Sequence, residues 1–235
     1  MNPDSGASCF GPGAALRVEP SAEGLIPRTA LPVRQGLPLH LEAHLERLRA
    51  GAAALGCGVP WLAGAGLELR QWLGRLDLPE AALRLELSLD HQRLEARLES
   101  LPRASSPFRL APMAHPMGDL RPQPLARHKG LSGPWRSEAL AGARQRGAED
   151  ALLLWPDGTL AETTIATVAL EREGCLLLPP PKGRVASVTE RLDLPAWSEA
   201  RGWTLHLGPI SLGDCEGGQL WCLNALRGLW PATLL

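Results

Sequence analysis

The sequence predicts an α/β chain of the α+β kind, built as two α/β domains. Three observations predict it. The chain has 235 residues, 45% hydrophobic, the right size for one large domain or two of roughly 100 to 120 residues. Its hydrophobic spacing switches between helical and alternating periods. A stretch with four prolines and no periodicity, Pro112 to Pro124, interrupts the middle and reads as a connection between halves. The expected division is therefore 1–111, a linker over 112–128, and 129–235.

From the amino end, Leu41, Leu45, Leu48, Ala52 and Leu55 step by four and three onto one helical face, and Gly56 supplies the stop. Pro60 opens a second helix to about Arg75. Between Ala82 and Leu98 the period becomes two. Leu83, Leu85, Leu87 and Leu89 alternate with polar residues, as do Leu94, Ala96 and Leu98. A hairpin turning at Asp90-His91-Gln92 follows, with His91 solvated. Past the linker, the pattern predicts a helix over Ser137 to Arg146, a strand over Ala151 to Trp155 and a turn at Pro156-Asp157-Gly158. A hairpin over Val168 to Leu178, a helix from about Val188, and strands near Gln219 to Cys222 and Trp230 to Leu234 complete the chain.

Composition narrows the function. A net charge of −1 provides no field for polyanions, so nucleic acid is not an expected partner. No window approaches the roughly 20 apolar residues of a membrane span. The amino terminus, MNPDSGASCF, has no positive region followed by an apolar run, which sets the expectation of a cytoplasmic protein. The five cysteines are scattered, with no C-x-x-C pair and no histidine at ligand spacing, so they are expected to be free thiols and no metal site is expected. The sequence also lacks a G-x-S-x-G elbow, a phosphate-binding G-x-x-x-x-G-K-[ST] loop and an H-E-x-x-H helix.

Lys129 and Lys182 are the only lysines among 24 Lys and Arg residues. A chain that prefers arginine this strongly keeps a lysine where a deprotonatable amine is needed, for instance to attack a carbonyl. Lys182 sits in a Pro/Gly loop and is expected to be structural. Lys129 belongs to an ordered series that includes His44-Leu45-Glu46-Arg47-Leu48, the run GAEDALLLWPDGTLAE ending at Glu162, the turn Ser187-Val188-Thr189, and Asn224-Ala225-Leu226 with Pro231.

Taken together, this series resembles the class IV aminotransferase family, the fold type IV enzymes of pyridoxal 5′-phosphate, over nearly the whole chain and most strongly from Lys129 onward. The tail is similar to that of the aminodeoxychorismate lyases in that family. The resemblance implies a cofactor cleft between the two domains. In it Lys129 would form the Schiff base and shuttle the substrate proton, and Glu162 would face the pyridine nitrogen. Arg47 would hold the phosphate, with the backbone N–H groups of Val188 and Thr189, the Thr189 hydroxyl and the backbone at Ala225. Asn224 and Arg93 are candidates for the substrate, and His128 is open between tuning the lysine, packing against the cofactor phosphate and a plain structural role. The implied reaction is a lyase releasing pyruvate and 4-aminobenzoate from 4-amino-4-deoxychorismate in folate synthesis, carried out by a homodimer on a small amino-acid-like molecule. The alternatives are a branched-chain or D-amino-acid aminotransferase, or a member that binds ligand without turnover. Three positions depart from the family pattern: Thr167 where it has Asn, Ser187 where it has Gly, and Glu190 where Arg is common. The 90–92 hairpin is shortened where relatives carry a substrate loop.

Overall fold

The computed structural model describes residues 8–10, 25–103, 107–130 and 135–235. The chain forms two compact units, residues 1–102 with 128–132, and residues 103–127 with 133–235. This differs from the expected division in two ways. The Pro112 stretch is not simply a linker, because Pro112 to Ala114 form the end of a strand within the second unit's sheet. Lys129 belongs to the first unit, where its carbonyl accepts the backbone N–H of Arg28 at 3.1 Å.

In the first unit, β1 (Ser8–Phe10), β2 (Arg28–Arg34), β3 (Leu37–Pro38), β4 (Glu80–Ser88) and β5 (Arg93–Glu99) make one antiparallel sheet in the order β1-β5-β4-β2-β3. The expected hairpin is β4–β5, with Leu83, Leu85, Leu87 and Leu94 on its buried face. Helices α1 (Leu41–Ala54) and α2 (Ala65–Leu73) add Leu45, Leu48, Leu69 and Leu73 to the same core. The second expected helix begins as a 3₁₀ turn over Pro60–Gly64 before becoming α-helical. Strand β2 was not expected. Its residues 29–33 are all buried and include Pro32, so neither alternation nor an unbroken β-forming run marks it.

In the second unit, β6 (Arg109–Ala114), α3 (Trp135–Gln145) and β7 (Asp150–Leu154) form a parallel crossover. The remaining elements are β8 (Leu160–Thr163), β9 (Thr167–Arg172), β10 (Cys175–Leu178), α4 (Val188–Leu192), α5 (Leu194–Arg201), β11 (Thr204–Leu207), β12 (Gln219–Asn224) and β13 (Gly228–Leu234). The eight-stranded sheet runs β11-β10-β9-β12-β13-β6-β7-β8 and is mixed, with parallel pairs at β10–β11, β13–β6 and β6–β7. Helix α3 lays Trp135, Ala139 and Ala143 on Ala111, Ala151 and Leu153.

Among the described residues no helix is long and apolar enough to cross a membrane. Cys57, Cys175, Cys215 and Cys222 are free thiols, and the side chain of Cys9 lies outside the described residues.

Candidate active site

The first unit gathers a cationic cluster around one buried histidine. His44 and Arg47 are three residues apart on α1, so they share a helix face. His44 is fully buried, and its Nδ1 shares a 2.6 Å hydrogen bond with the Thr29 hydroxyl of β2. Burial, reinforced by the positive charges of Arg47, Lys129 and His40, pushes its imidazole down to about 3. The helix face carrying the H-x-x-R motif therefore lies near the lysine segment.

That segment is held in a narrow passage. Gly130 has φ +94°, and a Cβ there would stand 2.0 Å from the carbonyl oxygen of Ile26, so only glycine can follow Lys129 in this path. Arg93 lies at the start of β5, with Nε and Nη2 donating to Glu95 Oε1 at 3.1 and 2.7 Å. Its guanidinium is engaged along its own strand.

Glu162 lies in the second unit on β8, 5% exposed. The strand is launched by the predicted turn: Asp157 Oδ1 accepts the backbone N–H and hydroxyl of Thr159, and Gly158 takes φ +81°. The Thr159 bonds and Arg121 hold the Asp157 carboxyl down to about 2. Glu162 Oε1 accepts Arg136 Nη2 at 2.6 Å, and Oε2 accepts the backbone N–H of Val185 at 3.4 Å. Arg136, in the first turn of α3, also donates to the carbonyls of Thr163 and Thr164. No sequence motif marks this arginine.

Val188 and Thr189 open α4, where Ser187 is the N-cap and its Oγ accepts the N–H of Glu190 at 3.2 Å. The three departures from the family pattern meet here. Ser187 caps Glu190, the Thr167 hydroxyl donates to Glu190 Oε2 at 3.4 Å, and Glu190 takes both terminal nitrogens of the buried Arg184 at 2.6 and 2.8 Å. Thr189 is 1% exposed, and its Oγ1 has no partner among the described residues.

Asn224 closes the turn between β12 and β13. Its Oδ1 accepts the N–H groups of Leu226 and Arg227, and its Nδ2 donates to the carbonyl of Ile165. The side chain thus shapes the backbone around Ala225.

Comparison with known proteins shows the family. The sequence profile of the family Amino-transferase class IV matches residues 29–235, and no curated protein matches the chain. Among solved structures, the chain is similar to a fold IV-transaminase from Curtobacterium pusillum (23% identity, 91% of this chain and 79% of that one, TM-score 0.74). It is also similar to a provisionally named 4-amino-4-deoxychorismate lyase from Legionella pneumophila (20%, 90% and 83%, 0.77). A third is a hypothetical aminotransferase from Mycobacterium tuberculosis in its PLP-bound form (21%, 96% and 90%, 0.77). The chain belongs to the class IV aminotransferases, enzymes that depend on pyridoxal 5′-phosphate and act on small amino-acid-like substrates.

The residues present fit that cofactor. Phosphate oxygens would satisfy the orphaned Thr189 hydroxyl and the free backbone N–H groups expected at a helix start. Glu162 offers a buried carboxylate for a protonated ring nitrogen.

Proposed function

We propose that the chain is a lyase that releases pyruvate and 4-aminobenzoate from 4-amino-4-deoxychorismate. The observation that carries this reading is the Asn224-Ala225-Leu226 turn, closed by the Asn224 side chain, because this tail is the one the aminodeoxychorismate lyases share. A further provisionally named lyase of this kind, 25% identical over 94% of this chain, supports it.

In this reading Lys129 and Glu162 serve one cofactor. When bound, pyridoxal 5′-phosphate supplies an electron sink conjugated to the substrate's reacting carbon. Lys129 would hold the cofactor by its carbonyl carbon at rest; once freed by the substrate's own amine, it would take the proton from the substrate carbon bearing nitrogen and, as the carbon–oxygen bond to the three-carbon unit breaks, return a proton to that unit. Glu162 keeps the ring nitrogen protonated. Arg47, the Thr189 hydroxyl and the N–H groups of Val188 and Thr189 hold the phosphate, and the Asn224 turn presents the Ala225 backbone to it. The enzyme acts in folate synthesis as a cytoplasmic homodimer.

The test couples pyruvate release to lactate dehydrogenase, with 4-amino-4-deoxychorismate as sole substrate. NADH consumption by the native protein, abolished in Lys129→Ala, is the expected result. Glutamate-dependent amination of branched 2-oxo acids without pyruvate release would instead make the chain an aminotransferase. Neither activity, in a protein that binds the cofactor, would mark a member without turnover.

A further inference from the structure

Glu162 is a buried acid whose first partner is not a backbone group but a guanidinium. The Arg136 and Glu162 side chains are 16% and 7% exposed, and their closest contact is 2.6 Å. A pair this buried is held by geometry as much as by charge, since both ions have left water and each must find enough partners. Arg136 finds them. Beyond Glu162 it donates to the carbonyls of Thr163 at 3.3 Å and Thr164 at 3.0 Å, so one guanidinium ties the carboxylate to the two residues that follow it.

The other face of that guanidinium rests on a ring. Arg136 Cζ lies 4.4 Å from the centre of the Trp135 ring, and that ring centre is 4.5 Å from that of His115, the two planes tilted by 55°. His115 stacks on Trp155 at 4.9 Å and 22°, and Arg121 Cζ sits 5.7 Å from the Trp155 ring. The three rings are 3 to 5% exposed. At the far end Arg121 is held by Asp119 at 2.7 Å and Asp157 at 2.6 Å. His115 Nδ1 accepts the N–H of Met117 at 3.2 Å. Burial, with the charge of Arg136 next, pushes this imidazole down to about 4, so it enters the column as a neutral ring, stacked on Trp155 and tilted against Trp135, and puts no third cation between the arginines. The column, built within the second unit, is the shelf on which Arg136 rests.

We propose that Arg136 is a positioning residue for the cofactor: it fixes one oxygen of Glu162 and balances its charge, leaving the other oxygen to serve the ring nitrogen, while the Trp135–His115–Trp155 stack sets where the guanidinium lies. The inference rests on the assignment of Glu162 to that nitrogen and is independent of which reaction follows. A buried carboxylate stripped of its counter-charge favours the protonated form. Without Arg136 the carboxylate loses the partner that fixes one of its oxygens, and with it its defined placement toward a positive ring nitrogen.

The experiment compares the native protein with Arg136→Met, Arg136→Gln, Glu162→Gln and the double variant Arg136→Met/Glu162→Gln. Each is stripped of cofactor and titrated with pyridoxal 5′-phosphate; the loaded forms are then titrated with pH at the visible band. Arg136→Met is expected to weaken cofactor binding by about tenfold, the size of a middling coupling between contacting groups. It should also move the midpoint of the visible titration in the same direction as Glu162→Gln. In the Glu162→Gln background, removing Arg136 should add less than about twofold, because the partner it positions is gone. Should Arg136→Met not fold, Arg136→Gln is read by the same criteria. Native affinity and an unmoved midpoint in the arginine variants, beside a shifted Glu162→Gln, overturn the inference alone. An unmoved midpoint in Glu162→Gln overturns the assignment of Glu162 and the inference with it. No readout involves turnover, so a failed pyruvate assay leaves these results standing.

Discussion

The Thr29 hydroxyl and Nδ1 of His44 lie 2.6 Å apart, and neither residue is more than 3% exposed. The bond joins β2 to α1 at the turn of the helix that carries Arg47. It also gives this imidazole a partner, since Nε2 has none among the described residues.

Thr29→Val keeps the shape of the side chain and deletes its oxygen. Leaving a buried ring nitrogen unmatched costs about 1 to 3 kcal/mol, so urea denaturation should show a loss in that range, with Thr29→Ser closer to the native protein. A Thr29→Val protein as stable as the native one would show that the bond contributes nothing.

The same histidine sets a pH dependence. Its folded value of about 3 lies below the ordinary histidine value of 6.5, so between these limits the unfolded chain binds a proton that the folded chain does not. Stability therefore rises with pH across that window. The His44 contribution is intact above 6.5 and falls away as pH drops toward 3, with a slope of at most about 1.4 kcal/mol per pH unit. His115, lowered to about 4, acts in the same direction. Denaturation curves at several pH values should give a shallower slope for His44→Gln than for the native protein; parallel slopes would contradict this account.

Thr189→Val removes a hydroxyl that has no partner among the described residues. The cofactor-free protein should melt within a few degrees of the native one, because no existing bond is lost. A hydrogen bond to a charged group contributes about 1.5 to 3 kcal/mol, so affinity for pyridoxal 5′-phosphate should fall by roughly 10- to 100-fold. Unchanged affinity would remove Thr189 from the phosphate site.

Gly130→Ala places a methyl 2.0 Å from the Ile26 carbonyl at a residue with φ +94°. Left-handed strain alone costs about 1 to 3 kcal/mol, and the clash adds to it. Displacement of the neighbouring lysine should lower the yield of borohydride-trapped cofactor on the Lys129 peptide, measured by mass spectrometry. A native yield would show that the passage tolerates the methyl.

Where burial is one-sided, the sequence is a good guide. Leu83, Leu85 and Leu87 alternate because β4 has one wet face, and the four-three steps of α1 follow from a single buried stripe. Strands without that asymmetry escape notice: β2 is buried throughout its centre, while β11 is exposed at all four residues. Pro112 hides β6 because proline reads as a break, although here it stands opposite Leu152 in a parallel pair. Lys129 stands out against a background of arginine. Arg136 does not, because its role depends on a carboxylate 26 residues ahead, and nothing local records that meeting. Nor does anything local record that the Asn224 amide closes a turn or that the Arg93 guanidinium is bound to Glu95.

The first unit is discontinuous: it ends at Pro102 and resumes for His128–Ser132 only. Truncating the gene after codon 102 would therefore yield a lobe that has lost its amine, and starting at codon 103 would yield one burdened with a segment whose neighbours are missing. The two halves cannot be shuffled as independent cassettes, and any swap between relatives has to carry the short return with the part encoded upstream.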